Sequence, residues 1–371
     1  ALTDASLQQA LGSSAEARGQ FWWQQADDGL ALSGVRLTAG DLSALISGTI
    51  KGLRSGFGLE GKAEVRADDL ARFSGLVGRP ISGSGKITIE GQGSPLGGDF
   101  DVRLGVEGDD LGVSQAQLDD FLAGRSSLTA DWRRDGTGTE RRSFSLRTAG
   151  LAADGQGRLG SDQSQIGFVL AAPDLAKLGP NYAGALSGQI DLTGAVGEGQ
   201  ADLKAQLSGQ GLRVGVPEVE RLLEGASKIT LNAGLLDRVL TVDTFTLAAS
   251  GLDAAATGRL SETDNQITAE FSLADLGLVL AGRSGWIAAK ATFSGLPENA
   301  TVRLDATTTN LRIGQAEADR VLAGQSSVEA DLRIVDGLLR IDDARLKNPQ
   351  LTATAKGRVG ASERQIDLEA R

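Results

Sequence analysis

Apolar and polar residues alternate along most of the chain. Ile87 and Ile89 share one parity, and Phe100, Val102, Leu104 and Val106 form the next run. The same alternation returns at Ile166/Phe168/Leu170, Ile190/Leu192, Leu203/Ala205/Leu207, Ile229/Leu231 and Leu240/Val242. It continues through Ile267/Ala269/Phe271/Leu273, Ala291/Phe293, Val302/Leu304, Val328/Ala330/Leu332/Ile334, Leu339/Ile341 and Ile366/Leu368. The positions between are Thr, Ser, Asp, Glu, Lys or Arg; within Val328–Ile334 the charges Glu329, Asp331 and Arg333 all fall on the opposite parity. Successive strand residues point to opposite sides, so each run predicts a strand with one dry and one wet face. Such alternation fits antiparallel ribbons and not a parallel sheet covered by helices.

The strands belong to a repeat. Leu311 to Asp331 (LRIGQAEADRVLAGQSSVEAD) matches Leu212 to Asn232 and Leu111 to Asp131 without a gap, at spacings of 99 and 101 residues. Leu111/Leu212/Leu311, Phe121/Leu222/Val321, Leu122/Leu223/Leu322 and Gly124/Gly225/Gly324 coincide. Self-similarity at a fixed period marks a repeat architecture. Gly157-Arg158-Leu159, Gly258-Arg259-Leu260 and Gly357-Arg358-Val359 recur with a following Gln-Ile (Gln165-Ile166, Gln266-Ile267, Gln365-Ile366). A looser version lies around Gly48 and Phe57. These glycines are expected to permit bends and bulges where strands turn. One continuous repeat body, 1–371, is predicted, with approximate units 1–107, 108–208, 209–308 and 309–371.

Short helices punctuate the ribbon. Pro217 to Leu223 opens with Pro in the first turn and puts Val219, Leu222 and Leu223 on one face. Gln115 to Leu122 and Gln315 to Leu322 are its equivalents, and a second set begins at Asp69-Leu70, Asp174-Leu175 and Asp275-Leu276, each Asp a helix cap. Helices this short do not stand alone and must dock by their apolar stripe.

About 25 to 30 strand-like runs in one chain exceed what an open twisted sheet holds without curling. The ribbon is expected to curl with its dry face inward, on the order of 100 Å long at ~4.8 Å per strand. Aromatics are 4% of residues and the dry positions are Leu, Val, Ile and much Ala, which is little bulk for a core at native density. An incompletely filled apolar trough is the expectation. The fold class is mainly all-β, an elongated β-taco or β-helix-like curled antiparallel ribbon with short interspersed helices. Its candidate lining is Ile87, Ile89, Phe100, Val102, Leu104, Ile190, Leu192, Ile229, Leu231, Val302 and Leu304.

Composition narrows the chemistry. Cys 0 and His 0 leave no disulfide framework, no Cys/His metal site and no His-based triad. A net charge of -11 argues against nucleic acid as a partner. The 51 glycines lack a three-residue period, which excludes collagen. No window offers 18 apolar residues, since Phe271 to Ala289 is broken by Asp275 and Arg283, so a soluble, non-spanning stretch is expected. The absence of Met and of polar capping repeats at Ala1 and Arg371 predicts an excised middle of a longer polypeptide.

At these residues a resemblance enters. Asp69-Leu70, Phe73, Leu76, Gly78, Ile81-Ser82-Gly83, Ile87 and Gly91 resemble the recurring phrase of the AsmA-like family, its TamB branch in particular. Asp174-Leu175, Leu178, Leu186-Ser187-Gly188 and Leu192 resemble it again, as do the runs Leu240 to Gly258 and Leu339 to Gly357; Gly285-Trp286 departs from it. The resemblance implies a periplasmic segment of an envelope protein of diderm bacteria, anchored in the inner membrane by its N-terminus. Its β-taco would meet an Omp85-type, TamA-like barrel and conduct phospholipid acyl chains or aid outer-membrane protein assembly. It implies no cofactor and no catalytic residue.

Other features have plainer explanations. Gly83-Ser84-Gly85-Lys86-Ile87-Thr88 lacks the Ser/Thr after Lys and the following helix of a phosphate loop, and is expected to be a bend between strands. The pairs Asp27-Asp28, Asp68-Asp69, Asp109-Asp110, Asp119-Asp120 and Asp342-Asp343 are expected to cap helices and solvate turns, without calcium-loop spacing. Phe21-Trp22-Trp23 is expected to be a packing variant of the first unit, and Asn299-Ala300-Thr301 a chance acceptor pattern. The alternatives to a lipid conduit are a chaperone pairing its edge with outer-membrane strands and a purely structural secreted β-helix. A hydrolase is disfavoured because no carboxylate cluster sits beside an aromatic platform.

Overall fold

A computed structural model describes residues 9–12, 14–24, 28–52, 57–94, 98–135, 140–160, 163–195, 199–335, 338–359 and 364–371. Contacts divide the chain into two compact units, Ala1–Tyr182 and Ala183–Arg371. The first holds β1 (Glu16–Gln24), β2 (Gly29–Ala39), β3 (Leu42–Lys51), β4 (Gly58–Ala67), β5 (Ser82–Ser94), β6 (Asp99–Gly112), β7 (Arg125–Arg134), β8 (Glu140–Arg147), β9 (Ala152–Leu159) and β10 (Ser164–Ala172). The second holds β11 (Tyr182–Gly194), β12 (Ala201–Val214), β13 (Ala226–Leu236), β14 (Val239–Ala248), β15 (Leu252–Leu260), β16 (Asn265–Leu273), β17 (Ser284–Leu296), β18 (Asn299–Arg312), β19 (Gln325–Val335), β20 (Leu338–Lys347), β21 (Thr352–Val359) and β22 (Arg364–Ala370). The helices are α1 (Ser74–Val77), α2 (Ala116–Leu122), α3 (Pro217–Glu220) and α4 (Ala316–Val321), with 3-10 turns at Leu70–Phe73, Leu175–Leu178 and Leu276–Leu278.

Each unit is an antiparallel meander in which sequence neighbours pair, and the ribbon is open: β1 pairs only with β2, and β22 only with β21, among the described residues. The expected all-β, helix-punctuated ribbon is therefore what the chain forms. The 22 described strands are fewer than the runs of the pattern because several reach 13 or 14 residues.

Strands that alternate in direction place their connections alternately at two edges. In each unit the helices and the turns at 148–151, 249–252 and 348–351 fall on one edge and the hairpins on the other. The helical edge carries the closed packing. Ala39, Leu42 and Ala67 are buried there with Leu11, Val65, Leu70 and Phe73 packed on them. Arg72 ties that cluster together, donating to the carbonyls of Ala10 and Ala39 and pairing with Asp41. In the second unit Leu212, Leu222, Leu223 and Leu273 are buried at the same kind of edge.

The repeat has local causes. Asp110 and Asn310 sit in left-handed backbone at φ 51° and 52°, and their side-chain oxygens accept from the N–H of Gly124 and Gly324 at 2.9 and 3.1 Å. The middle copy has Gly211 there, at φ 59°; these three residue types are the ones that tolerate this conformation. An acidic residue inside each helix then closes the strand-to-helix turn. Asp119 accepts from Val113 N–H at 2.6 Å, Asp319 from Ile313 N–H at 2.7 Å and Glu220 from Gly215 N–H at 3.3 Å. Asp69, Asp174 and Asp275 cap the 3-10 turns as expected, each accepting from the N–H two residues on.

Several sequence expectations are corrected. Gly157, Gly258 and Gly357 lie inside β9, β15 and β21, directly opposite Ile166, Ile267 and Ile366, and not at turns between strands; Gly258 and Gly357 do stand beside bulges, between Val242 and Phe245 of β14 and between Ile341 and Ala344 of β20. A methyl on Gly157 or Gly258 would meet the carbonyl oxygen of Gln165 or Gln266 at 2.7 or 2.5 Å. They are glycine because the neighbouring backbone leaves no room for a Cβ. Gly83 stands inside β5, where the register slips between Ser82 and Ser84, instead of in a bend between strands. Asp342 and Asp343 occupy a bulge in the middle of β20, not a turn, and Asp342 pairs with Arg333 and Arg340. Phe21, Trp22 and Trp23 are 75%, 46% and 51% exposed, so they are not packed. Asp27 lies outside the described residues.

Candidate functional site, an apolar concave face

Strand register gathers the alternating residues into rows. In the first unit Val65, Ile87, Val106, Leu128 and Leu146 lie abreast on β4 to β8, and beside them Ala63, Ile89, Leu104, Ala130 and Phe144. Val102 faces Gly91 and Trp132 in the next row, and Phe100 faces Gly93 and Arg134 beyond it. The five residues predicted for this part of the lining, Ile87, Ile89, Phe100, Val102 and Leu104, thus share one face. All are half-buried except Ile89, which is exposed.

In the second unit the row Leu207, Ile229, Leu247, Ala254, Phe271, Ala289, Ala306, Val328, Leu346 runs from β12 to β20. Leu231 and Leu304 belong to the neighbouring row and Val302 to the one after, and all are half-buried. Gly188 and Gly194 of β11 lie against the backbone of Leu207 and Ala201, which places Ile190 and Leu192 of β11 on the face of Ala205 and Leu203. Each unit therefore brings its share of the predicted lining onto one apolar face of its own.

On the dry side, a Cβ added at Gly91, Gly157 or Gly258 would strike the neighbouring strand within 3 Å. On the wet side, one at Gly105 would find its nearest neighbour, Thr88, at 3.9 Å. Glycine against a large partner also sets local depth: a methyl at Gly93 would strike the Phe100 Cβ at 2.8 Å. Around Gly48, Gly61 and Gly91, where three adjacent strands present no side chain, a cavity of about 640 Å³ opens between Leu59, Ile89, Phe100 and Val102.

The large side chains of the face are only partly buried. The most deeply buried side chains of the described chain are small: Ser227 at 2% and Ser326 at 1% exposure, with their repeat equivalent Ser126 at 2%. All three sit under the helical edge, and Ser126 Oγ donates to the Leu122 carbonyl at 3.2 Å. The leucines, valines and phenylalanines of mid-strand stay half-exposed, the reverse of a globular core.

The wet face is laced by exposed cross-strand pairs such as Lys86–Glu64 at 3.1 Å, Arg103–Asp131 at 2.7 Å and Lys290–Glu270 at 2.9 Å. The bond that Arg103 donates to Asp131 raises the pKa of Arg103, and the one that Lys290 donates to Glu270 raises the pKa of Lys290. Among the described residues no group of three or more acidic side chains is gathered that could hold a metal ion. No helix among the described residues is long and apolar enough to cross a membrane.

Sequence reasoning missed a charged group on the dry face of the first unit. Arg134, Glu140 and Arg142 lie there beside Trp132. Extending the Leu128/Ala130/Trp132 alternation by two residues would have placed Arg134. Compared with known proteins, the chain matches no family model and no curated sequence.

Proposed function

We propose that the apolar face is a conduit for phospholipid acyl chains, in an envelope protein of the TamB type that spans the periplasm and meets an Omp85-type barrel. The observation that carries the reading is a run of apolar residues abreast on one face of an open ribbon, its large members only partly buried. Exposed apolar surface of this extent is costly in water and is kept where something apolar is to be bound. Each methylene of an acyl chain laid on it gains ~0.8 kcal/mol. Rows of similar residues repeat from strand to strand, so moving along them costs little net free energy. That suits passage better than tight storage. No covalent chemistry is part of this role.

The experiment is site-specific photo-crosslinking in cells. Crosslinkers at Leu304 and Ile229 on the dry face are expected to capture lipid, and those at Arg303 and Thr230 on the opposite face are not. Capture only at Arg303 and Thr230 would end the conduit reading.

A second reading, a chaperone that pairs an edge strand with unfolded outer-membrane strands, draws support from β1. Its outer edge has no partner among the described residues and it exposes Phe21, Trp22 and Trp23. It predicts protein adducts at Trp22 and indifference to a charge at Leu304.

A further inference from the structure

Resting on the conduit reading, we infer that the first unit holds a phospholipid docking point: one acyl chain in the cavity beside Phe100 and the lipid phosphate on Arg134 and Arg142. Among the described strand residues that pair in register from β2 to β10, the dry face carries charge at Arg134, Glu140 and Arg142, and these are adjacent. Among those of β12 to β21 the same face carries none. Glu140 is partly buried, and Arg134 and Arg142 are exposed, so both guanidinium groups are open to a ligand at the end of the apolar rows.

The cluster is built on an aromatic base. Phe100 and Trp132 meet edge to face with centroids 4.9 Å apart, and the Arg142 guanidinium lies 4.5 Å over the Trp132 ring. Arg142 donates to Glu140 at 2.7 Å, and Trp132 Nε1–H reaches the same carboxylate oxygen at 3.3 Å. Arg134 faces Glu140 across the β7–β8 ladder and Phe100 across the β6–β7 ladder. It also lines the apolar cavity together with Phe100.

The guanidinium groups point to the occupant. Arg134 and Arg142 stand beside Glu140 on the dry face, while Glu60, Lys62 and Asp99 also line the cavity. A phosphodiester carries one negative charge and oxygens that match the guanidinium fork, and its attached acyl chain matches the cavity. Glu140 holds Arg142 over Trp132, which leaves Arg134 as the principal phosphate donor.

The test is fluorescence titration of the whole chain with Trp22, Trp23 and Trp286 changed to Phe, so that Trp132 alone reports. The probes are a monomeric lysophosphatidylglycerol, palmitate and a monoacylglycerol. The lysophospholipid is expected to give a saturable change and to bind tighter than the other two. Arg134→Gln should weaken it about tenfold or more, and Arg134→Lys should restore part of the loss. Arg141→Gln removes the same charge from the opposite face of the neighbouring strand and should change affinity less than about twofold. Circular dichroism and Tm check that each variant folds.

Equal losses in Arg134→Gln and Arg141→Gln would overturn the proposal, as would monoacylglycerol binding as tightly as the lysophospholipid. Tighter binding of palmitate would overturn it in favour of a free carboxylate. Lipid capture at Leu304 and Ile229 is read separately, so the docking point can fail while the conduit stands.

Discussion

The helical edge and the mid-strand face of each unit are built from the same strands, yet they pack in opposite ways. At the edge, a short helix lays Phe121, or Leu222 with Leu223, onto a glycine turn so tight that a methyl at Gly150 would reach the Phe121 ring at 2.9 Å, and the serines beneath are nearly inaccessible. A few residues along the same strands, Leu231, Val302 and Leu304 stay partly exposed. Burial is deepest where the helices close the edge, so that is where truncation is expected to cost most.

Truncations at the two places should separate most strongly. Leu222→Ala at the closed edge is expected to cost about 2–5 kcal/mol, and Leu231→Ala on the open face about 1 kcal/mol or less. Denaturant midpoints of the two variants check this, and equal losses would erase the distinction. Gly258→Val comes next. Its side chain would enter the space of the Gln266 carbonyl and should cost about 1–3 kcal/mol, read as a lowered Tm. Asp319→Ala removes the acceptor for the N–H of Ile313 and Gly314 and should cost about 0.5–2 kcal/mol, again read from the denaturant midpoint.

Acidification should have the smallest effect. Hydrogen bonds from Arg142 hold Glu140, and from Arg333 hold Asp342, below the usual carboxylate range. Their folded-state pKa values are depressed, so their contribution is present above the ordinary pKa near ~4 and is lost as pH falls through the lower, folded values. A small fall in Tm below that pH is expected, and Arg333→Gln should diminish it.

The comparison also explains what could be read from the residues. Period-two alternation marked the strands, and Asp69, Asp174 and Asp275 marked their capped turns, because both depend on nearest neighbours along the chain. The glycines of the recurring Gly-Arg-Leu phrase were legible as bend or bulge sites, but only strand register shows Gly258 pressed against Ile267. Ser126, Ser227 and Ser326 recur at one repeat position, but a serine carries no hydrophobic signal of burial. Arg134 and Arg142 became visible as a pair only when the ladders of β6 to β8 set them beside Trp132.

The most direct test of the open apolar face is native mass spectrometry of the intact chain released from phospholipid-containing micelles, beside its Leu304→Arg variant. The account predicts adducts at phospholipid mass on the unaltered chain and their loss in a folded Leu304→Arg. A chain that carries no lipid, or a variant that carries it undiminished, would contradict it.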